Sequence, residues 1–333
     1  MLTKTNAAVL ATGALAVTLG FTSPSQDSYA RLRGAVAIDG SSTVFPITQA
    51  VAEEFKEKAP NVNVTVGVSG TGGGFKRFAL GETDISNASR PIKKEEHDEA
   101  AKNGAQYIEL PVAYDGLSFV VNKANTWVDS LTVEEIQTIF LASKAAKTWR
   151  DVRPSWPNKP IKMFIPGTDS GTFDYFKEVV AGKEAIRPDV SVSEDDNLLV
   201  RGVSGDEAAL GFFGCAYYFE NKDKLRVVPI VNPKLGTPVE PTAGTIEDGS
   251  YAPFSRPLFI YVNARSARRP EVKGFVEFYL ANAPRLAAEV GYVSLPEVVY
   301  QRASANFKAS KTGTQFLNDK GEKVSGPVTT VYK

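Results

Sequence analysis

Apolar positions along this chain follow two rhythms, and the rhythm changes at turns rich in glycine, serine and threonine. Ala35–Asp39 is a short apolar run that stops at Gly40-Ser41 and predicts a strand. In the Pro46–Lys56 stretch that follows, Ile47, Val51 and Phe55 stand four apart, which puts them on one face of a helix. Asn63–Val68 alternates and is β-branched, so it predicts a strand, and the glycine-rich Ser69–Gly74 leads into a short helix carrying Phe75, Phe78 and Ala79. The same signals predict strands at Asp84–Ser86, Tyr107–Leu110, Leu117–Val121, Ile161–Ile165, Val227–Ile230 and Leu258–Val262. Helices are predicted at Lys93–Asn103, Val133–Leu141, Phe173–Val180, Asp206–Leu210 and Pro270–Ala281. Strands alternating with helices of this length predict α/β layers with mostly parallel sheets. The apolar Phe212–Tyr218 run reads as a core strand, with Cys215 as a small buried hydrophobe, and the polar Lys311–Lys333 as a surface strand or a partly disordered arm. No Pro/Ser linker divides the chain, so two lobes would have to be joined by strands that cross between them. Tyr114-Asp115-Gly116, between two apolar runs, reads as a turn or as such a crossing.

The first thirty residues read as an export leader. Lys4 precedes an apolar run, Ala7–Phe21, that is shorter than the roughly 20 residues a spanning helix needs. A polar stretch ends in Ser28-Tyr29-Ala30, with small residues at the −3 and −1 positions of a cut after Ala30. The expected product is a periplasmic or extracellular protein, the alternative being a retained membrane anchor. No cysteine lies near the cut, so a lipoprotein is not expected.

Composition narrows the chemistry. The chain carries 38 Lys+Arg against 38 Asp+Glu, so there is no basic excess to neutralise a nucleic-acid backbone. A single cysteine excludes an internal disulfide or a cysteine zinc cluster. The single histidine, His97, sits in the acidic Glu95–Glu99 stretch and reads as a surface residue, which leaves a hydrolase built on Ser170 without its base. Neither an enzymatic activity nor a cofactor is expected.

Three strand-to-helix turns carry the remaining chemistry. The first is Gly40-Ser41-Ser42-Thr43-Val44-Phe45-Pro46, with Pro46 suited to a first helical turn and Ser42 or Thr43 able to cap it. The second, Ser69–Gly74, can expose successive backbone N–H groups, and the third is Pro166-Gly167-Thr168-Asp169-Ser170-Gly171-Thr172. Each would present unpaired donors and a helix N-terminus, which suits a bound oxyanion. Phe75 stands where the third glycine of a dinucleotide fingerprint would be, and no G-K-[ST] follows, so a small free anion is expected rather than a nucleotide. Ser89 and Arg90, at the end of a predicted strand, add a hydroxyl and a guanidinium fork.

Gly-Ser-Ser-Thr-Val-Phe-Pro (40–46), Ser-Gly-Thr-Gly-Gly-Gly (69–74), Ala-Ser-Arg-Pro-Ile (88–92) and Pro-Gly-Thr-Asp-Ser-Gly-Thr-Phe-Asp-Tyr-Phe (166–176) together resemble the phosphate-binding PstS family of ABC uptake systems, in its cyanobacterial-type SphX branch. The resemblance runs from about Val36 to Phe307. It implies a type II periplasmic binding protein, two α/β lobes joined by two hinge strands, with lobe I at 31–114 and 256–333 and lobe II at 115–255. It also implies a monomer that binds inorganic phosphate between the lobes and delivers it to ABC-transporter permease subunits. Carried over, Thr43 and Phe45 match the first phosphate-contacting turn, with Ser42 beside them; Thr71 matches the glycine-rich turn; Ser170, Gly171 and Thr172 match the helix start of lobe II. The better-known branch has an arginine where this chain has Pro166 and an aspartate where it has Arg90, so the expectation is an exchange of charges: Arg90 as the guanidinium clamp, Asp169 as the acid, and Asp115 next in line for that role.

Phosphate near neutral pH keeps a proton that sulfate lacks, and a buried carboxylate accepts a hydrogen bond from that proton while repelling sulfate. An unpaired buried charge is costly enough for one acid to discriminate by about a thousandfold. The alternatives are a binding protein for sulfate, molybdate or another oxyanion, a phosphatase-like enzyme, and a sensor or adhesion protein.

Overall fold

The computed structural model describes residues 29–168, 170–193 and 195–333; the expected leader up to Ser28, and Asp169, lie outside them. Strand β1 (Gly34–Gly40) is followed by helix α1 (Phe45–Lys58), β2 (Val62–Val66), α2 (Gly70–Ala79), β3 (Ile85–Ala88) and α3 (Lys94–Lys102). β1 lies between β2 and β3 and runs parallel to both, with its C-terminal end beside the turns into α1 and α2. The face predicted for α1 is the one buried: Ile47, Thr48, Val51, Ala52 and Phe55 turn inward.

The chain then enters β4 (Tyr107–Asn122), a strand of 16 residues. Helices α4 (Val133–Phe140) and α5 (Trp149–Val152) lead to β5 (Lys162–Pro166). Helix α6 (Gly171–Phe176) runs straight into a π turn, Lys177–Ala181. β6 (Ser191–Ser193), α7 (Asp196–Ser204), β7 (Ala209–Gly214), α8 (Cys215–Glu220) and β8 (Leu225–Val227) follow, then a small hairpin of β9 (Ile230–Val231) and β10 (Pro238–Val239), and α9 (Ala243–Glu247). The return strand β11 (Ser255–Asn263) precedes α10 (Pro270–Glu289), α11 (Glu297–Lys308) and α12 (Val328–Val331). The strand order is β2-β1-β3-β11-β4-β7-β5-β6, with β8 also pairing β4. The outer strand pairs β1–β2, β1–β3, β5–β6 and β5–β7 are parallel, while β3–β11–β4–β7 are antiparallel. Among the described residues no helix is long and apolar enough to cross a membrane.

β4 holds the two halves together. Its first part, Tyr107–Gly116, pairs with β11, and its second part, Leu117–Val121, pairs with β7. Tyr114-Asp115-Gly116 is therefore no turn: it is extended backbone in mid-strand, the crossing alternative of the sequence reading, and two predicted strands are one. The interruption at Pro111 is absorbed where the ladder to β11 slips register between Leu258 and Phe259, since proline has no N–H to give. Another correction concerns Asp206–Leu210. The helix there is Asp196–Ser204, and Ala209 begins a strand buried along its whole length, so its sequence has no polar alternation to distinguish it from a buried helix. The core run Phe212–Tyr218 is strand only to Gly214; Cys215, fully buried, opens α8 and accepts a hydrogen bond from the Ser118 hydroxyl at 3.1 Å.

The C-terminal segment is neither a surface strand nor a loose arm. Phe316, Val328 and Tyr332 are buried, and Arg302 donates to the carbonyls of Thr329 and Tyr332. The segment is also tied to the buried carboxylate of Glu109 on β4. Glu109 accepts from the Thr314 hydroxyl at 2.6 Å, the Gln315 N–H at 3.0 Å and the Tyr261 hydroxyl at 2.8 Å. Burial pushes its pKa up to about 7 against those three donors. A carboxyl raised on folding adds stability in full below its unfolded value, and that contribution is lost as pH rises through about 7. Wild-type protein is therefore expected to lose up to about 3 kcal/mol between pH 4.5 and 7 that Glu109→Gln does not lose, which thermal melts at stepped pH will read as a flatter profile for the variant. Parallel profiles would exclude Glu109 as the titrating group.

Candidate functional site

Where β1 and β3 end, and the π turn after α6 approaches the head of β11, the side chains enclose a cavity of about 280 Å³. Its lining comes from four places: Ser41, Ser42 and Thr43 before α1; Gly70, Thr71 and Gly72 opening α2; Ser89 and Arg90 after β3; and Asp174, Glu178 and Arg256 on the opposite side.

The first turn is held by the Ser41 N–H, which donates to the Asn87 carbonyl at 3.0 Å, and by the Tyr292 hydroxyl, which donates to the Thr43 carbonyl. Capping by Ser42 or Thr43 is not what the structure shows. The N-cap is Val44, with no side-chain cap. The hydroxyls reach across the gap instead: Ser42 Oγ donates to Asp174 Oδ2 at 2.5 Å, and Thr43 Oγ1 accepts from Arg256 Nη2 at 3.0 Å. In the second turn the helix begins inside the glycine run, at Gly70, whose φ of 75° favours a residue without Cβ. Thr71 Oγ1 meets Ser89 Oγ at 3.1 Å and accepts the Ser89 N–H at 3.2 Å, which ties the second turn to the Ser89-Arg90 segment.

Arg256 is the cation that the sequence reading missed. It lies opposite Asp115 in the β4–β11 ladder, with 12% of its side chain exposed. Nε donates to Asp115 Oδ2 at 3.3 Å and Nη1 to Glu178 Oε2 at 2.8 Å, and the guanidinium carbon lies 3.7 Å from the centre of the Tyr175 ring. Asp115 itself is fully buried, and its Oδ1 has no hydrogen-bond partner among the described residues. Burial raises the Asp115 pKa, and the Arg256 charge works against that shift. The signal was a charged residue between Ser255 and Pro257 at the head of an apolar strand; the predicted strand began at Leu258 and left it outside.

Of the residues singled out from sequence, the cavity brings together Ser42, Thr43, Thr71, Ser89 and Arg90. Phe45, Ser170, Gly171 and Thr172 do not line it, and Asp115 lies behind Arg256. Ser170 caps α6 by accepting the Thr172 N–H at 3.2 Å, and Gly171 abuts the Thr43 backbone. Asp169 lies outside the described residues. Arg90, expected as the guanidinium clamp, lines the cavity and is already paired there. Its fork is held by Glu96, Nη2 to Oε1 at 2.7 Å and Nη1 to Oε2 at 2.8 Å, because Glu96 sits in the first turn of the helix that follows. His97 is half-buried and its Nδ1 meets the Tyr107 hydroxyl at 2.7 Å.

The site is thus a polar hollow with two guanidinium groups, five hydroxyl residues and two carboxylates, fed by the starts of α1 and α2. It can hold a small oxyanion through charge-assisted bonds and offer an acceptor to one of its protons.

Comparison with known proteins agrees with this architecture. The PBP superfamily domain matches residues 24–283. Protein SphX of Synechococcus elongatus is 53% identical over 295 residues, covering 88% of this chain and 87% of that protein. The phosphate-binding protein PstS of Staphylococcus saprophyticus is 43% identical over 268 residues, covering 80% of this chain and 82% of its own. Among solved structures, a possible phosphate binding protein from Planctomyces limnophilus superposes with a TM-score of 0.81 at 46% identity, covering 84% of this chain and 99% of that one. The fold is the type II periplasmic binding protein: two α/β lobes joined through the β4 and β11 strands. With the strand order, the site and these relatives pointing the same way, the chain belongs to the PBP superfamily, in the family of the SphX and PstS proteins.

Proposed function

We propose that this chain is an exported, monomeric binding protein that holds inorganic phosphate with high affinity in the cavity between its lobes and delivers it, unchanged, to the permease subunits of an ABC transporter. The observation that carries the reading is Arg256, a nearly buried guanidinium stacked on Tyr175, backed by Asp115 and aimed at the hydroxyls of the first turn. The lobe assignment that goes with it is 31–114 and 256–333 against 115–255, which puts Thr43, Thr71, Ser89 and Arg90 on one wall and Asp174 and Glu178 on the other.

Binding then proceeds from donors already in place. The hydroxyls of Ser42, Thr43, Thr71 and Ser89 and the N–H groups at the starts of α1 and α2 take the anion's oxygens, and Arg256 neutralises its charge. Asp174 faces the same space and accepts a hydrogen bond from the proton that phosphate keeps and sulfate has lost. Calorimetry should give strong binding of phosphate and arsenate and weaker binding of sulfate by about a thousandfold, with Asp174→Asn narrowing that gap by at least about tenfold. Equal affinity for sulfate and phosphate in the wild type would overturn the reading; an unchanged gap in the variant would return the acid's role to Asp169 or Asp115.

A further inference from the structure

We infer that the export leader is removed upstream of Tyr29, after Ser25, so that the exported protein keeps Tyr29 as a plug in the groove between α1 and α10. The inference rests on the export reading above.

Tyr29 is 8% exposed and packs at the edge of the buried core. Its ring stands edge-on to Phe55 of α1 at 5.7 Å and to Phe278 of α10 at 5.8 Å, and its carbonyl accepts the Leu32 N–H at 3.0 Å. The opposite wall is shaped to receive this segment. Gly274 lies inside α10, where glycine is a poor choice for a helix. A Cβ there would come within 2.5 Å of Leu32 Cδ1 and 3.7 Å of the Tyr29 ring. The match to the PBP superfamily also begins at residue 24, ahead of Tyr29.

A cut after Ala30 would discard the tyrosine, remove the acceptor that holds the Leu32 N–H, and leave a new ammonium on Arg31 beside an emptied aromatic slot. The polar stretch after Phe21 offers another site that meets the same rule. Ser23-Pro24-Ser25 places small residues at −3 and −1, and its product begins at Gln26. Leader removal acts on an unfolded chain, so the fold shields neither site; the two differ in whether the product keeps its core.

The test is N-terminal sequencing and intact mass of the full chain exported from a secreting bacterial host. A first residue at Gln26 is expected; one elsewhere between 22 and 29 would keep Tyr29 but overturn the cut after Ser25. A first residue at Arg31 overturns the inference and leaves the export reading intact, whereas a chain that still begins at Met1 overturns the cleaved-leader reading itself. In parallel, protein made to begin at Arg31 should melt about 5 °C below protein made to begin at Gln26. Equal melting temperatures would show that Tyr29 plugs nothing.

Discussion

Arg256→Ala should weaken phosphate binding by at least about a hundredfold in calorimetry, since two charge-assisted hydrogen bonds to an anion are together worth roughly 3–6 kcal/mol. The magnitude follows from how completely this guanidinium is placed before any ligand arrives. Tyr175 holds its plane, Asp115 and Glu178 take two of its donors, and Thr43 takes a third. Arg256→Lys keeps the charge but cannot reproduce the fork across Asp115, Glu178 and Thr43, so it should recover only part of the affinity. The alanine variant also strands Asp115, whose burial already raises its pKa, and an uncompensated buried acid destabilises the fold. Adding Asp115→Asn removes that liability, so the double variant should regain thermal stability while still failing to bind. Wild-type affinity in the folded double variant would take Arg256 out of the site.

Much of the fold around the cavity was legible because each strand-turn-helix unit there announces itself locally. Ile47, Val51 and Phe55 carry the helical period of α1, and all three are buried. What escaped the sequence reading depends on partners that no local pattern connects. Asp115 looks like a turn acid until Arg256, 141 positions later, is seen opposite it. Arg90 looks like a free cation because Glu96 belongs to a stretch that reads as a solvated acidic face, yet the two pair as soon as α3 starts. The C-terminal segment anchors through Phe316, Val328 and Tyr332, too widely spaced to show any period, and through Glu109, which no local pattern connects to it. Ser170, Gly171 and Thr172 were singled out as ligand donors; the structure gives Ser170 and Thr172 a cap and Gly171 a packing contact.

That packing contact gives the second large expectation: Gly171→Ala should reduce phosphate affinity by about tenfold to a hundredfold although Gly171 itself does not line the cavity. A Cβ on Gly171 would lie 2.7 Å from Thr43 Cα and 3.3 Å from Thr43 N, and backbone at that distance cannot swing aside as a side-chain tip can. Gly171 opens α6 in one proposed lobe and Thr43 precedes α1 in the other, so the added methyl acts as a wedge between them. It works against the Ser42–Asp174 and Arg256–Glu178 bonds that bridge the same gap. On the proposed reading the two lobes close on the anion, and overpacking, at about 1–3 kcal/mol, falls on that closed arrangement, which grips the anion from both walls. The phosphate-loaded variant should therefore scatter X-rays as a more open particle than loaded wild type, with its melting curve in phosphate-free buffer nearly unchanged. Gly244→Ala, on α9, where a Cβ meets nothing closer than 3.9 Å, is the control and should bind as wild type does. If Gly171→Ala closes and binds normally, the contact at Thr43 is slack in solution and the wedge argument fails.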